Sequence, residues 1–145
     1  MVESHNGIYI AWNVFEDYAS LGSLAVKETV LYAINRLLGS SKTLSTNLPA
    51  QGVVTLMEQK QHNRYVNHLL YVTPVKRGKS IEVIEDVIPL HDVEVSLRLP
   101  SKVSRIYLAP QLQEIPFEQD GDKLTYTVSK LDLHQMIVLD IDKIN

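Results

Sequence analysis

The sequence predicts a mainly β protein, an antiparallel β-sandwich preceded by an N-terminal strand and one α-helix. Three observations carry this expectation. Apolar residues recur with helical period from Ser20 to Leu38, they mostly alternate in twos from Gly52 to Ile141, and the texture breaks at Gly39. The chain therefore divides into two unequal pieces, residues 1–41 and 42–145. A strand and one helix cannot bury two faces by themselves, so the first piece reads as the remnant of a larger layered domain joined to a complete β-domain.

The first element is expected over Gly7 to Phe15, a nearly continuous apolar run rich in β-branched and aromatic residues. Continuous hydrophobicity is what a strand covered on both faces requires, so this run reads as a buried strand. A helix follows, with Ser23 as N-cap and Leu24, Val26, Val30, Leu31, Ala33, Ile34, Leu37 and Leu38 on close to half of its circumference. Gly39 stands where a left-handed glycine would stop the helix, and Ser40, Ser41 and Lys42 form a polar connection.

Val53 to Gln59 and Arg64 to Thr73 read as antiparallel strands joined by the loop Lys60 to Asn63. Ile81 to Ile88 is a further apolar-rich run ending at Pro89. Asp92 to Leu99 alternates without fault, placing Val93, Val95, Leu97 and Leu99 inward and Asp92, Glu94, Ser96 and Arg98 in water. Val103 to Leu108 is next. Ile115 to Glu118 and Lys123 to Val128 flank a tight turn at Asp120-Gly121, and Gln135 to Ile141 closes the set with Ile137, Leu139 and Ile141 on one side. Seven or eight short strands without helical period between them argue for two sheets sharing one core.

Composition narrows the function classes. At 145 residues with 45% hydrophobic and 21% charged residues, the chain is long enough to bury a core and too apolar for disorder. The net charge of −3, with only Lys76, Arg77 and Lys79 clustered, argues against a nucleic-acid partner. The absence of cysteine leaves no disulfide, thiolate nucleophile or cysteine metal site. No apolar stretch approaches the roughly 18 residues that span a bilayer, and no basic start precedes an apolar run, so a cytoplasmic location without membrane contact is expected.

No residue set forms a catalytic motif, and the expected catalytic, cofactor-binding and metal-binding residues are none. His5, His62, His68, His91 and His134 lack metal-ligand spacing. His68 alternates with Val66, Leu70 and Val72, which reads as a sheet-face histidine bonded to a neighbour. His91-Asp92 has the composition of a base and its orienting carboxylate, yet adjacent strand residues point to opposite faces unless a turn intervenes. Glu82, Glu85, Asp86, Glu94 and Glu114 read as a solvated outer face rather than a glycosidase pair. Seven tyrosines invite sugar stacking, but Tyr65 and Tyr71 on one strand face are explained as well by cross-strand packing. Gly22-Ser23 is a weak anion site, and no phosphate loop or dinucleotide fingerprint is present.

Several stretches form a familiar order: Leu48 to Thr55, Arg64 to Tyr71, Val95 to Pro100, Val103 to Pro110 and His134 to Val138. This order resembles the C-terminal end of bacterial β-galactosidase-like glycoside hydrolases. There a catalytic barrel is followed by a glutamine-amidotransferase-like trimerisation domain and a small β-domain. The resemblance implies that Gly7 to Leu38 ends the amidotransferase-like domain and that Lys42 to Asn145 is the terminal β-domain. None of the matched stretches is catalytic, and a barrel of about 250 residues does not fit in this chain. The resemblance thus implies a non-catalytic C-terminal accessory portion serving packing or oligomer assembly. Its partner would be a second copy, through Leu24, Val30, Leu31, Ile34 and Leu38, or the missing N-terminal portion of the parent enzyme. The alternative is a carbohydrate-binding β-sandwich module, which needs exposed coplanar aromatics, and last a stand-alone hydrolase, which needs His91, His134 or carboxylates converging in one cleft.

Overall fold

The computed structural model describes residues 1–142. It contains two units, the first Met1–Lys42 and the second from Thr43 onward. In the first unit, β1 (Val2–Ser4) and β2 (Gly7–Tyr9) form an antiparallel hairpin closed by His5-Asn6, with the Ser4 hydroxyl donating to the Gly7 carbonyl at 3.0 Å. Two helices follow, α1 (Val14–Leu21) and α2 (Leu24–Leu38). Glu16 and Asp17 occupy the first turn of α1, where the helix dipole favours negative charge, and Gly22 ends it in the left-handed conformation. Ser23 is the N-cap of α2, as expected, although its side chain makes no capping bond. Gly39 ends α2 with positive φ, but its ψ of −122° lies outside the left-handed helical basin, and the 3₁₀ turn Gly39–Ser41 follows.

The buried strand expected over Gly7 to Phe15 is absent. Only Gly7–Tyr9 is extended, Tyr9 is exposed, and Val14 already begins α1, so the first unit has two helices rather than one. A short apolar run does not distinguish strand from helix. The deciding signals are polar. His5-Asn6, ahead of Gly7, turns the chain, and Asn13 with Glu16 and Asp17 marks a helix start, the Asn13 amide donating to Glu16 at 3.1 Å.

The second unit holds β3 (Leu44–Thr46), β4 (Val53–Gln59), β5 (Arg64–Leu70), β6 (Val75–Arg77), β7 (Ile81–Val83), β8 (Leu90–Arg98), β9 (Val103–Ala109), β10 (Gln113–Glu114), β11 (Phe117–Asp120), β12 (Lys123–Leu131) and β13 (His134–Ile141). They form a five-stranded sheet, β10-β9-β13-β5-β4, and a four-stranded sheet, β11-β12-β8-β3, both antiparallel, with β6-β7 as a separate ribbon. The β4-β5 hairpin and the β11-β12 turn at Gly121, with φ of 59°, lie where the sequence places them.

Three expected strands of this unit are shorter, the first being Arg64 to Thr73, which is extended only to Leu70. Beyond Val83 the run to Ile88 is not a strand, and Ile84, Val87 and Ile88 are exposed, because its apolar residues come in adjacent pairs rather than alternating. Of the segment Ile115 to Glu118 only Phe117 and Glu118 lie in a strand; Ile115 and Pro116, the latter without an N–H for a ladder, separate two short strands. β10 before them belongs to the five-stranded sheet and β11 after them to the four-stranded sheet.

The core lies between the two sheets. Val93, Val95 and Leu97 of β8, Leu124, Tyr126 and Val128 of β12, Tyr65 and Leu69 of β5, Ile106 and Leu108 of β9, and Ile137 and Leu139 of β13 are buried in one cluster. Strict alternation on β8 and β12 produces this, since every second side chain of a pleated strand meets the facing sheet. Each large aliphatic side chain so buried contributes about 1.5–3 kcal/mol. Asn67, fully buried among them, accepts a 2.6 Å hydrogen bond from the Tyr126 hydroxyl of the opposite sheet and donates to the Thr55 carbonyl at 2.8 Å.

Tyr126→Phe is expected to leave the Asn67 oxygen without its donor and to lower stability by about 1–3 kcal/mol in urea denaturation. An unchanged midpoint would show that the bond is dispensable. Burial also pushes the Tyr126 hydroxyl pKa up, so the folded chain keeps a proton that the unfolded chain loses near pH ~10. Stability is therefore expected to fall as pH rises through that value, by about 1.4 kcal/mol per unit from this group. The gap in stability between wild type and Tyr126→Phe should accordingly narrow between about pH 9 and about pH 11.

Candidate functional site

The outward positions of the four-stranded sheet build a polar cleft. Register places Glu118, Thr125, Ser96 and Ser45 in one cross-strand row, with Thr127 opposite Glu94 in the next. Asn47 forms the rim: its side-chain oxygen accepts from the Glu94 N–H at 2.9 Å and its amide donates to the Asp92 carbonyl at 3.1 Å. The Thr46 hydroxyl donates to the Glu94 carbonyl at 2.7 Å. The cleft is open to solvent and has a volume of about 620 Å³. Glu94 and Glu118 stand two strands apart and two residues out of line, a backbone separation of roughly 12 Å from strand spacing and rise. A glycosidase pair needs about 5–9.5 Å across the scissile bond. The roughly 12 Å is a separation of backbones and not of carboxyl groups, and the cleft presents hydroxyls and carboxylates able to hydrogen-bond hydroxyl groups.

A second feature lies on the outer face of the five-stranded sheet. His68 of β5 and His134 of β13 are diagonal neighbours, because His68 pairs with Met136 and Leu70 with His134. His68 Nδ1 and His134 Nε2 are 2.9 Å apart, with the rings 6° from parallel and their centroids 5.2 Å apart. A ring nitrogen lies about 1.15 Å from its centroid, so these distances put both nitrogens almost on the line between the centroids. The imidazoles are therefore edge to edge and nearly coplanar, one donating N–H to the lone pair of the other.

The other sequence candidates do not converge. His5, His62 and His91 are exposed, and Asp92 takes a positive φ of 53° beside His91 without a bond between the two side chains. Glu82, Glu85, Asp86, Glu94 and Glu114 are all exposed, as a solvated face requires, and Glu85 pairs with Arg77. Among the described residues no group of three histidine or carboxylate side chains comes together to hold a metal ion. Tyr65, Tyr107 and Tyr126 are buried and Tyr71 packs against the core, so the tyrosines of the second unit serve packing. The exposed tyrosines, Tyr9, Tyr18 and Tyr32, all belong to the first unit. Among the described residues, no helix is long and apolar enough to cross a membrane.

The first unit carries an apolar groove of about 610 Å³ lined by Ile8, Ile10, Trp12, Val14, Phe15 and Val30. Around it the exposed apolar residues are large: Phe15 is 75% exposed, Leu21 77% and Leu24 68%, with Leu31, Ile34 and Leu37 also exposed. Of the expected apolar face of the second helix, Leu24, Leu31, Ile34, Leu37 and Leu38 are exposed, Val26 and Val30 are half-buried and Ala33 is buried. His68 is, as read from the sequence, a sheet-face histidine bonded to a neighbour, but that the neighbour is His134 was hidden in the sequence. Both histidines sit at outward positions, but that β5 and β13 are neighbours depends on a pairing 66 residues apart.

Replacing Glu94 and Glu118 together by glutamine is expected to change stability by no more than about 0.5 kcal/mol, as for solvated surface positions. A larger loss in thermal or urea unfolding would mean that their charges hold the cleft together.

No family model and no curated protein matches the chain. Among solved structures it is similar to α-L-fucosidase isoenzyme 2 from Paenibacillus thiaminolyticus, with 58% identity and a TM-score of 0.95 over 99% of this chain. The match covers 22% of the fucosidase chain, so the present chain spans about a fifth of its length. The similarity supports a portion of a glycoside hydrolase, and it does not extend to the β-galactosidase-like detail that the sequence order suggested.

Proposed function

We propose that this chain is a non-catalytic C-terminal accessory portion of a longer glycoside hydrolase, serving packing or oligomer assembly. The observation that carries the proposal is the open apolar surface of the first unit, together with a match that spans about a fifth of a fucosidase. Large apolar side chains contribute about 1.5–3 kcal/mol each once covered, which makes such a surface an interface in waiting. The remainder of the parent chain is its natural occupant. In its absence a second copy takes that place, through Leu24, Val30, Leu31, Ile34 and Leu38. The origin of residues 1–41 as the end of an amidotransferase-like domain belongs to the same proposal. The identity to a fucosidase favours an α-L-fucoside over a β-galactoside as the parent's substrate, with the reacting groups beyond this chain.

The cleft of hydroxyls and carboxylates on the four-stranded sheet favours a second reading, saccharide binding. The burial of its aromatic lining weighs against it, since Tyr126 is buried and Phe117 packs against the core. Titration calorimetry with L-fucose and D-galactose separates the two. No saturable heat is expected; saturable binding lost in Glu94→Ala would favour the binding module.

The chain alone is expected to release no nitrophenol from 4-nitrophenyl α-L-fucoside or β-D-galactoside. In sedimentation at micromolar concentration it is expected to self-associate, and Leu31→Glu with Ile34→Glu should return it to monomer. Turnover by the chain alone would end the non-catalytic reading, and a monomeric wild-type chain would end the assembly reading.

A further inference from the structure

We propose that His68 and His134 form a two-histidine site for a divalent transition-metal ion of the Ni²⁺, Cu²⁺ and Zn²⁺ class. The inference is independent of the accessory role. Two imidazole nitrogens bound at about 2.0–2.1 Å to one ion, at angles near 90–110°, stand about 2.9–3.4 Å apart. His68 Nδ1 and His134 Nε2 are already 2.9 Å apart. Their strands are paired without irregularity from Arg64 to Leu70, so the backbone holds this spacing.

The adjustment needed is local. The lone pair of the accepting ring already points toward its partner. The donating ring moves its proton to its other nitrogen through solvent, with no net proton lost, and presents a second lone pair. Both rings then turn about their Cβ–Cγ bonds until the lone pairs converge on the ion instead of on each other. His134 is exposed and His68 half-buried, so the rings have room and water completes the coordination shell. Met136, directly across from His68 and two residues from His134, shares this face and offers a thioether. Imidazole with thioether suits the softer end of the series, copper above all, whereas a calcium or magnesium ion demands oxygen ligands.

The test is calorimetric titration of the untagged chain with NiCl₂ near neutral pH. One ion per chain is expected, in the micromolar range. His68→Gln and His134→Gln should each weaken binding at least tenfold, while His62→Gln and His91→Gln leave it unchanged. Glutamine keeps hydrogen-bonding capacity, and circular dichroism checks that the sheets persist. A second measurement avoids mutation: paramagnetic Ni²⁺ should selectively broaden the imidazole resonances of His68 and His134 in the wild-type chain. Absence of saturable binding, binding that survives His68→Gln, or broadening centred on other residues would overturn the proposal.

Discussion

The hydrogen bond from the Tyr126 hydroxyl to Asn67 fixes how the two sheets face one another. Apolar burial drives the sheets together but carries no direction, and aliphatic faces pack acceptably in more than one offset. A buried amide and a buried phenol have only a narrow set of arrangements in which neither is left unpaired, and leaving either unpaired costs about 1–3 kcal/mol. Asn67 is satisfied at both ends, by Tyr126 across the core and by the Thr55 carbonyl on the adjacent strand. The bond therefore ties β4, β5 and β12 into one arrangement, and the aliphatic layers of β8, β9 and β13 fill the space it defines.

The two units differ in what they bury. The second encloses its apolar residues between sheets, whereas in the first only Val14 and Ala33 are buried among the apolar residues. Two helices and a short hairpin have too few facing surfaces to enclose Trp12, Phe15, Leu21 and Leu24.

Strands whose inward residues alternate were legible from sequence, since β8 from Val93 to Leu97 follows period two without interruption. Where local polar signals compete with an apolar run, as at His5-Asn6 and Asn13, the run misleads, because hydrophobicity reports burial and not backbone shape. Pro116 lies between two short strands for a reason visible in its chemistry, the missing N–H. The histidine pair and the Asn67–Tyr126 bond were not legible. Each joins residues more than 50 positions apart, and only the sheet order brings them together.

Native-state hydrogen exchange followed by mass spectrometry well below the micromolar range, where self-association is minimal, compares the units directly. Amides of Val93 to Leu97, Leu124 to Val128 and Ile137 to Leu139 should exchange only through global unfolding, and those of α2 much faster, because its apolar face is uncovered. Equal protection of α2 and these strands would contradict the view that the first unit lacks the surface it was built to meet.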